Sequence, residues 1–396
     1  MKRLLLGLFL IAGPVGANPG LLMPATAPEA HLLVALDHLN AGRADAALAN
    51  LSLLTRQQPD FRLAQYLYAS LLDARSGRPT QDLGTDTGQM IASLSSEAQR
   101  RWAHRLGRGL NGLIPQSLLA LPRKYRYAVV VDLGASRLYV LENTPEGLRL
   151  VRDHYSSIGR AGIGKELEGD GRTPVGIYHV TEYLDGDALP DLYGAGAYPV
   201  NYPNAWDRRL GRTGYGIWVH GVPSDTYSRV PLASEGCVAL ANLDFEGLAP
   251  FIKPGETPVI LVDSIQWVRE SDSDLLAASL RGQVMEWRRD WESLDTDAYL
   301  SHYAEDFSAD GMTRAAFVEH KRLVNSARAF VQIEIDDLEL YRYPGVEELL
   351  FVARFRQQYV SDDLLREATK SQYWRRVGAG RLSRKRRAES APAHPG

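Results

Sequence analysis

The spacing of apolar residues divides the chain into three stretches. Over residues 28–118 the apolar positions recur at helical intervals. His31-Leu32-Leu33-Val34-Ala35-Leu36 leads through Leu39 to a turn at Gly42, and Ala46, Ala47, Leu48, Leu51, Leu53 and Leu54 continue an apolar face. Pro59 and Phe61 open a further helix through Ala64, Tyr66, Leu67, Leu71 and Leu72, ending near Gly77. At Leu121-Pro122-Arg123 the period changes. Short runs rich in β-branched and aromatic residues predict strands over 127–132, 137–142, 148–155, 177–183, 216–220 and 259–263. Long loops rich in Gly, Pro and Asp separate them. The stretch 124–263 is therefore an all-β domain whose chemistry is expected on its loops. After Ser264 the helical period returns over 271–291, with Leu276, Leu280, Val284, Trp287 and Trp291 on one face. Shorter helices are predicted over 296–303 and 314–324, then alternating segments over 330–335, 338–343, 348–358 and 371–377. Helices followed by an antiparallel sheet predict an α+β domain over 271–378. The run Arg381-Leu382-Ser383-Arg384-Lys385-Arg386-Arg387 and the Ala/Pro/His-rich end read as a basic disordered tail, 379–396.

Composition changes this picture little. A chain of 396 residues, 45% hydrophobic and 23% charged, fits two or three soluble domains. A formal net charge of −3 gives no reason to expect nucleic acid as a partner. The N-terminus adds more. Lys2 and Arg3 precede an apolar run over 4–12 and the small-x-small triplet Val15-Gly16-Ala17. That order predicts a signal peptide over 1–17 and a mature chain starting near Asn18. The apolar run is shorter than the roughly 20 residues a spanning helix needs, and no internal stretch reaches that length, so no transmembrane helix is expected after cleavage. No cysteine follows it that could carry a lipid anchor.

Export makes the cysteine count informative. Cys237 is the only cysteine. Exported proteins usually pair their cysteines, so a lone thiol is either a small buried hydrophobe or a reactive group. A thiol reacts as thiolate, and its ordinary pKa of about 8.5 leaves little of that form at neutral pH. A neighbouring imidazole can take the proton. His220, seventeen positions earlier, ends an apolar run and so stands at a strand end facing a loop. Gly236 permits unusual backbone angles and close approach of a substrate. The N–H groups of Gly236 and Cys237 are placed to stabilise a tetrahedral oxyanion. Asn242 or Asp244 is expected to cap the next helix. His154 and His179 lie in strand-like runs and read as packing residues. One cysteine without clustered ligands predicts no metal site, and no cofactor is expected. By itself the His–Cys pair leaves both the catalytic and the packing reading open.

Two blocks of sequence resolve that choice. His220-Gly221 followed by Ser234-Glu235-Gly236-Cys237-Val238 resembles the signature of the L,D-transpeptidase (YkuD) catalytic domain family. Gly164-Lys165, Gly169-Asp170, Thr173-Pro174, Gly176 and Tyr178 resemble a second block of the same family, in the expected order. The resemblance implies a β-sandwich that acts on peptidoglycan in the periplasm. The thiolate of Cys237 would attack the third residue of a stem tetrapeptide, release D-alanine and form a thioester. An amine acceptor would then give a 3→3 cross-link or, from a lipoprotein or other protein, a protein–wall link. Water would make the enzyme an L,D-carboxypeptidase or amidase. His220 is implied as base, the Gly221 carbonyl as its orienter, and Ser234 and Gly236 as shapers of the loop. Glu235 stands where the family often has histidine, and Ala239 where it often has arginine, so donor preference is open. Arg229 is a candidate for a stem carboxylate, and Tyr202, Trp206 and Tyr227 are candidates for the wall of a peptide groove.

The flanking regions carry weaker resemblances. The Gly, Ala-Ala and Pro punctuation of the helices resembles a tetratricopeptide-like repeat. Trp287-x3-Trp291 and Asp297-x-Tyr299-x3-Tyr303-x2-Asp306-Phe307 resemble the NTF2-like cone fold. A non-enzymatic alternative is a wall-binding scaffold in which these flanks do the work. The intact His220, Ser234, Gly236 and Cys237 argue against it.

Overall fold

The structure is a computed structural model that describes residues 27–76, 85–105, 109–110, 112–309, 311–377 and 381–390. The expected signal peptide lies outside the described residues.

Four helices come first: Pro28–Asn40, Ala44–Gln57, Arg62–Ser76 and Thr85–Arg105. Gly42 makes the first reversal with φ of +70°, a conformation that favours glycine. Leu32, Leu36, Leu51, Phe61 and Trp102 form a core that also takes in Tyr227 and Ala241 of the middle domain. The helical region is therefore packed onto that domain. Helix was expected to continue to residue 118. Instead Leu113–Pro115 and Leu118–Ala120 are short strands. Pro115 and Pro122 deny a helix its hydrogen bonds here, and the apolar side chains find partners in sheets. Leu113–Pro115 pairs with Trp267–Arg269, and Leu118–Ala120 pairs with Val331–Arg342 of the C-terminal domain.

The middle domain is the expected β-sandwich. Its larger sheet runs in space Gly147–Tyr155, Arg137–Thr144, Tyr127–Asp132, Pro258–Val262, Gly176–His179. The smaller runs Val238–Ala239, Trp218–His220, Gly196–Pro199, Leu184–Asp185. Val129, Val131, Leu138, Val140 and Leu261 face Tyr198, Val219, Val238 and Leu240 across the core. The opposite face of the larger sheet is covered too. Ala128, Val130, Tyr139, Ile260 and Val262 pack with Tyr341, Tyr343, Leu350, Val352 and Tyr373 of the C-terminal domain. Burial on both faces explains why the two central strands are continuous apolar runs without alternation.

The C-terminal domain places helices Glu270–Glu292, Thr296–Ser301 and Arg314–Ser326 against a seven-stranded sheet. Two segments predicted separately, 330–335 and 338–343, form one strand, Val331–Arg342. Its register shifts between Asp336 and Glu339, and Asp337 has φ of +55°, the geometry of a bulge. The basic run expected to be disordered is the strand Arg381–Ser390 up to Ser390, antiparallel to Leu365–Val377. A ladder is made by backbone groups, so a charged sequence does not exclude it. Helix and sheet enclose a cavity of about 300 Å³ lined by Trp291, Phe317, Lys321, Gln357, Tyr359 and Lys370, among others. Among the described residues no helix is long and apolar enough to cross a membrane.

Candidate active site

The site sits on the smaller sheet. Trp218–His220 pairs in parallel with Val238–Ala239, with Val219 opposite Val238 and His220 opposite Ala239. The residue before that ladder is Cys237, which brings the thiol alongside the strand that ends in the imidazole. The Cys237 thiol donates to the Gly216 carbonyl at 3.3 Å and accepts the Trp218 N–H. It is partly exposed. His220 is 2% exposed, and its Nδ1 lies 2.6 Å from the Gly221 carbonyl oxygen. A carbonyl can only accept, so Nδ1 carries the proton and neutral Nε2 keeps its lone pair. The Tyr193 ring meets the imidazole edge-on at 5.1 Å and lies 4.7 Å from the Trp218 ring.

Both groups rest uncharged. Burial pushes the imidazole down from 6.5 to about 4, against the pull of its bond to Gly221. Burial likewise pushes the thiol up from 9.0 to about 11. The Trp218 N–H and the charges of Arg229 and Lys165 oppose that rise, and Glu235 adds to it.

Local bonds hold the cysteine loop. The Ser234 hydroxyl donates to the Cys237 carbonyl at 2.6 Å and accepts the Gly236 N–H at 3.1 Å. Of the two N–H groups expected at an oxyanion site, that of Gly236 is thus engaged within the loop. Gly236 has φ of +126°, and a Cβ there would stand 2.7 Å from the Arg172 carbonyl oxygen. No side chain fits without movement of backbone. Buried Lys165 donates to Asp170 at 2.9 Å and to the Leu167 carbonyl at 3.0 Å. Partial burial opposes ionisation of Asp170. The N–H groups of Glu166, Arg172 and Leu167, together with Lys165, nevertheless hold its carboxyl at about 2.

Asn242 has a role the sequence did not disclose. The helix Asn242–Glu246 has Ala241 at its N-cap, with no side-chain cap. The Asn242 carbonyl oxygen accepts the N–H of Ala195 and of Val222, both at 3.0 Å, and its amide donates to the Val222 carbonyl at 2.9 Å. It ties the segment after His220 to the segment carrying Tyr193. A Cβ at Gly221 would come within 2.2 Å of the same oxygen.

The four candidate substrate residues separate. Arg229 is half-buried, donates to the Leu192 carbonyl at 3.1 Å and acts electrostatically on both Cys237 and His220. The other three are packing residues, not the wall of a groove. Tyr202 is buried in the sandwich core against Tyr178 and donates to the Thr213 carbonyl. Trp206 stacks on Tyr373 of the C-terminal domain at 5.2 Å. Tyr227 lies 4.3 Å from Phe61 of the helical region. Tyr202 and Tyr227 sit in loops and Trp206 in the short helix Ala205–Arg209, and local composition does not reveal which domain an aromatic ring will meet. His154 pairs with Asp244 at 3.0 Å, and His179 with Glu339 at 2.7 Å. Tyr193 went unnoticed because nothing in its local sequence announces contact with residue 220. Among the described residues no three His, Cys, Asp or Glu side chains gather as a metal site.

Comparison with known proteins bears on the domains. Residues 126–261 match the L,D-transpeptidase catalytic domain (YkuD). Residues 279–382 match the Cds6 C-terminal NTF2-like domain. No curated protein matches the chain. Among solved structures, Bd1075 of Bdellovibrio bacteriovorus superposes with a TM-score of 0.60 at 29% identity, covering 71% of this chain and 99% of that one. The helical cell shape determining protein Pgp2 of Campylobacter jejuni superposes with a TM-score of 0.58 at 25% identity, covering 72% of this chain and 98% of that one. The middle domain of this protein belongs to the L,D-transpeptidase catalytic domain family, and an NTF2-like domain follows it.

Proposed function

We propose that this protein is an exported peptidoglycan L,D-transpeptidase with Cys237 as nucleophile and His220 as base. The observation that carries the reading is the Nδ1–H bond from His220 to Gly221, made on the strand paired beside the cysteine loop. It leaves Nε2 as the atom able to accept a proton. A stem tetrapeptide displaces water from the thiol, and the carbonyl of its third residue approaches the sulfur. As the S–C bond forms, the thiol proton passes to Nε2 and the carbonyl becomes an oxyanion. The Cys237 N–H is the available one of the two expected donors. The C–N bond to D-alanine then breaks, and the imidazolium returns the proton to the departing amine. An acceptor amine deprotonated by His220 attacks the thioester and restores the thiol. A stem side-chain amine gives a 3→3 cross-link, and a protein amine gives a protein–wall link. Water as acceptor gives the L,D-carboxypeptidase outcome.

The likeness to a helical cell shape determining protein supports a role in cell-wall shape. The wall lies beyond the cytoplasmic membrane, so the reading places the mature protein in the periplasm after loss of residues 1–17.

The test is direct. Purified mature protein is incubated with tetrapeptide muropeptides and the products are weighed by mass spectrometry. Dimers that have lost alanine support transpeptidation. Tripeptide monomers alone replace it with carboxypeptidase activity. No product, together with no carbapenem adduct on Cys237, overturns the enzymatic reading in favour of a wall-binding scaffold.

A further inference from the structure

The connection from His220 to Cys237 does not run free. Its midpoint is held by the helical N-terminal region. The Tyr227 N–H donates to the Asp60 carbonyl at 3.3 Å, and the Tyr227 ring lies against Phe61. Next in the chain, the Ser228 hydroxyl donates to Glu97 at 3.0 Å and accepts from Arg101 at 3.1 Å. Ser228, Glu97 and Arg101 are 8%, 1% and 2% exposed. Arg101 is itself fixed, by Glu29 at 2.7 Å and Glu97 at 2.8 Å.

Arg229 follows Ser228 immediately, and Arg101 reaches its backbone by a second route. The Arg101 guanidinium lies over the Tyr155 ring at 3.7 Å, and the Tyr155 hydroxyl donates to the Arg229 carbonyl at 3.1 Å. One buried arginine of the helical region thus fixes the chain on both sides of the Ser228–Arg229 peptide. Beyond it the Ser157 hydroxyl holds the Val230 carbonyl at 2.6 Å, and the chain continues into Leu232–Ser234 and the cysteine loop. The Arg229 guanidinium is directed to the Leu192 carbonyl, one residue from the ring that covers His220.

We propose that Ser228, clamped by Glu97 and Arg101, is a positioning residue that sets the Arg229 guanidinium beside the Cys237 thiol, so that the helical region forms part of the reactive site. The inference deepens the reading of Cys237 as a reactive thiol. It assigns the site a preference for anionic partners that depends on a contact from another domain.

Cys237 is the only cysteine, so its alkylation reports on the site without any assumption about substrate. The full mature chain is treated in parallel with iodoacetate, which is anionic, and iodoacetamide, which is neutral. In each case the sulfur–carbon bond forms, iodide leaves and the thiol proton goes to solvent. The ratio of the two rates measures the local positive potential. Arg229→Ala should lower that ratio about threefold, the size expected for one nearby partly screened charge. Ser228→Ala should lower it to a similar extent, and Ser228→Thr, which keeps the hydroxyl, should restore it. The double variant should be no lower than Arg229→Ala alone, because both changes act through one guanidinium. Glu97→Gln is read beside them in case Ser228→Ala loses its thermal transition, and it should also lower the ratio. An unchanged ratio in Ser228→Ala or in Arg229→Ala overturns the proposal. So does a double variant in which the two reductions multiply. If muropeptides give no product while the ratios behave as expected, the proposed reaction fails and the clamp stands.

Discussion

At the scale of single residues, burial and proton transfer oppose each other at Cys237 and His220. A thiol near 11 and an imidazole near 4 share no proton at rest. The pair is neutral, and in the proposed reaction the ion pair forms only as the substrate carbonyl takes up charge. Without substrate, alkylation of Cys237 by a neutral reagent should therefore climb steadily from pH 7 to beyond pH 9. A plateau near the ordinary thiol value of about 8.5 would mean a normal thiol. The same burial makes stability depend on acid. Between pH 6.5 and about 4 the unfolded chain binds a proton at His220 that the folded chain does not. Stability contributed by neutral His220 is whole above 6.5 and is lost as pH falls through that window, by on the order of 3 kcal/mol. Urea melts at pH 7 and pH 4.5 should show His220→Gln losing less on acidification than wild type. An equal loss in both would remove His220 as the cause. Cys237→Ala deletes one sulfur from a partly open position, so turnover should vanish while the melt shifts by about 2 °C or less. Retained turnover with a large melting loss would make the thiol a packing group.

At the scale of elements, the site is built by loops that meet around the end of one short strand. Asn242 joins two of them through three hydrogen bonds. Asn242→Ala leaves two N–H groups and a carbonyl without that partner and should cost about 2–3 kcal/mol. The loss should come with a fall in turnover larger than the unfolded fraction explains, because the segments after His220 and around Tyr193 separate. A fall that tracks the unfolded fraction alone would show that Asn242 supports stability only. This level was the least legible in the sequence. Strand Tyr127–Asp132 was readable to the residue, since a run of valines buried on both faces has one interpretation. That the Cys237 loop lies beside the strand ending in His220 follows the order of their motif, because motif spacing reflects a fixed local path. Asn242, with Asp244 as the alternative, was read as a helix cap because local sequence favours the nearest backbone partner. Its actual partners, Ala195 and Val222, are 47 and 20 residues away. Trp206 and Tyr227 failed as groove residues for the same reason: what they touch is fixed by how domains dock.

At the scale of the whole molecule, the chain crosses between domains before building the middle or the C-terminal one. Leu118–Ala120 lies ahead of the catalytic sandwich, yet it pairs with Val331–Arg342 at the edge of the C-terminal sheet. Leu113–Pro115 pairs with Trp267–Arg269 on the far side of the sandwich. Both pairings close around the middle domain in sequence, so neither forms until that domain is complete. The docking face adds apolar contact. Trp206 stacks on Tyr373, His179 is bonded to Glu339, and Leu118 is fully buried among residues of both domains. Two domains sharing a strand and a core cannot unfold separately without exposing both. Calorimetry of the mature protein should therefore give one transition for the middle and C-terminal domains, with calorimetric and van't Hoff enthalpies in agreement. Leu118→Asp should lower that transition as a unit, since a charge buried at a shared face costs several kcal/mol to both partners, on the order of 3–5 kcal/mol in all. Two resolved transitions, only one of which moves in Leu118→Asp, would mean that the domains are tethered neighbours. In that case the catalytic domain should also fold alone over 124–263. The shared core instead requires that fragment to expose Val130, Tyr139, Ile260 and Val262 and to aggregate or bind a hydrophobic dye.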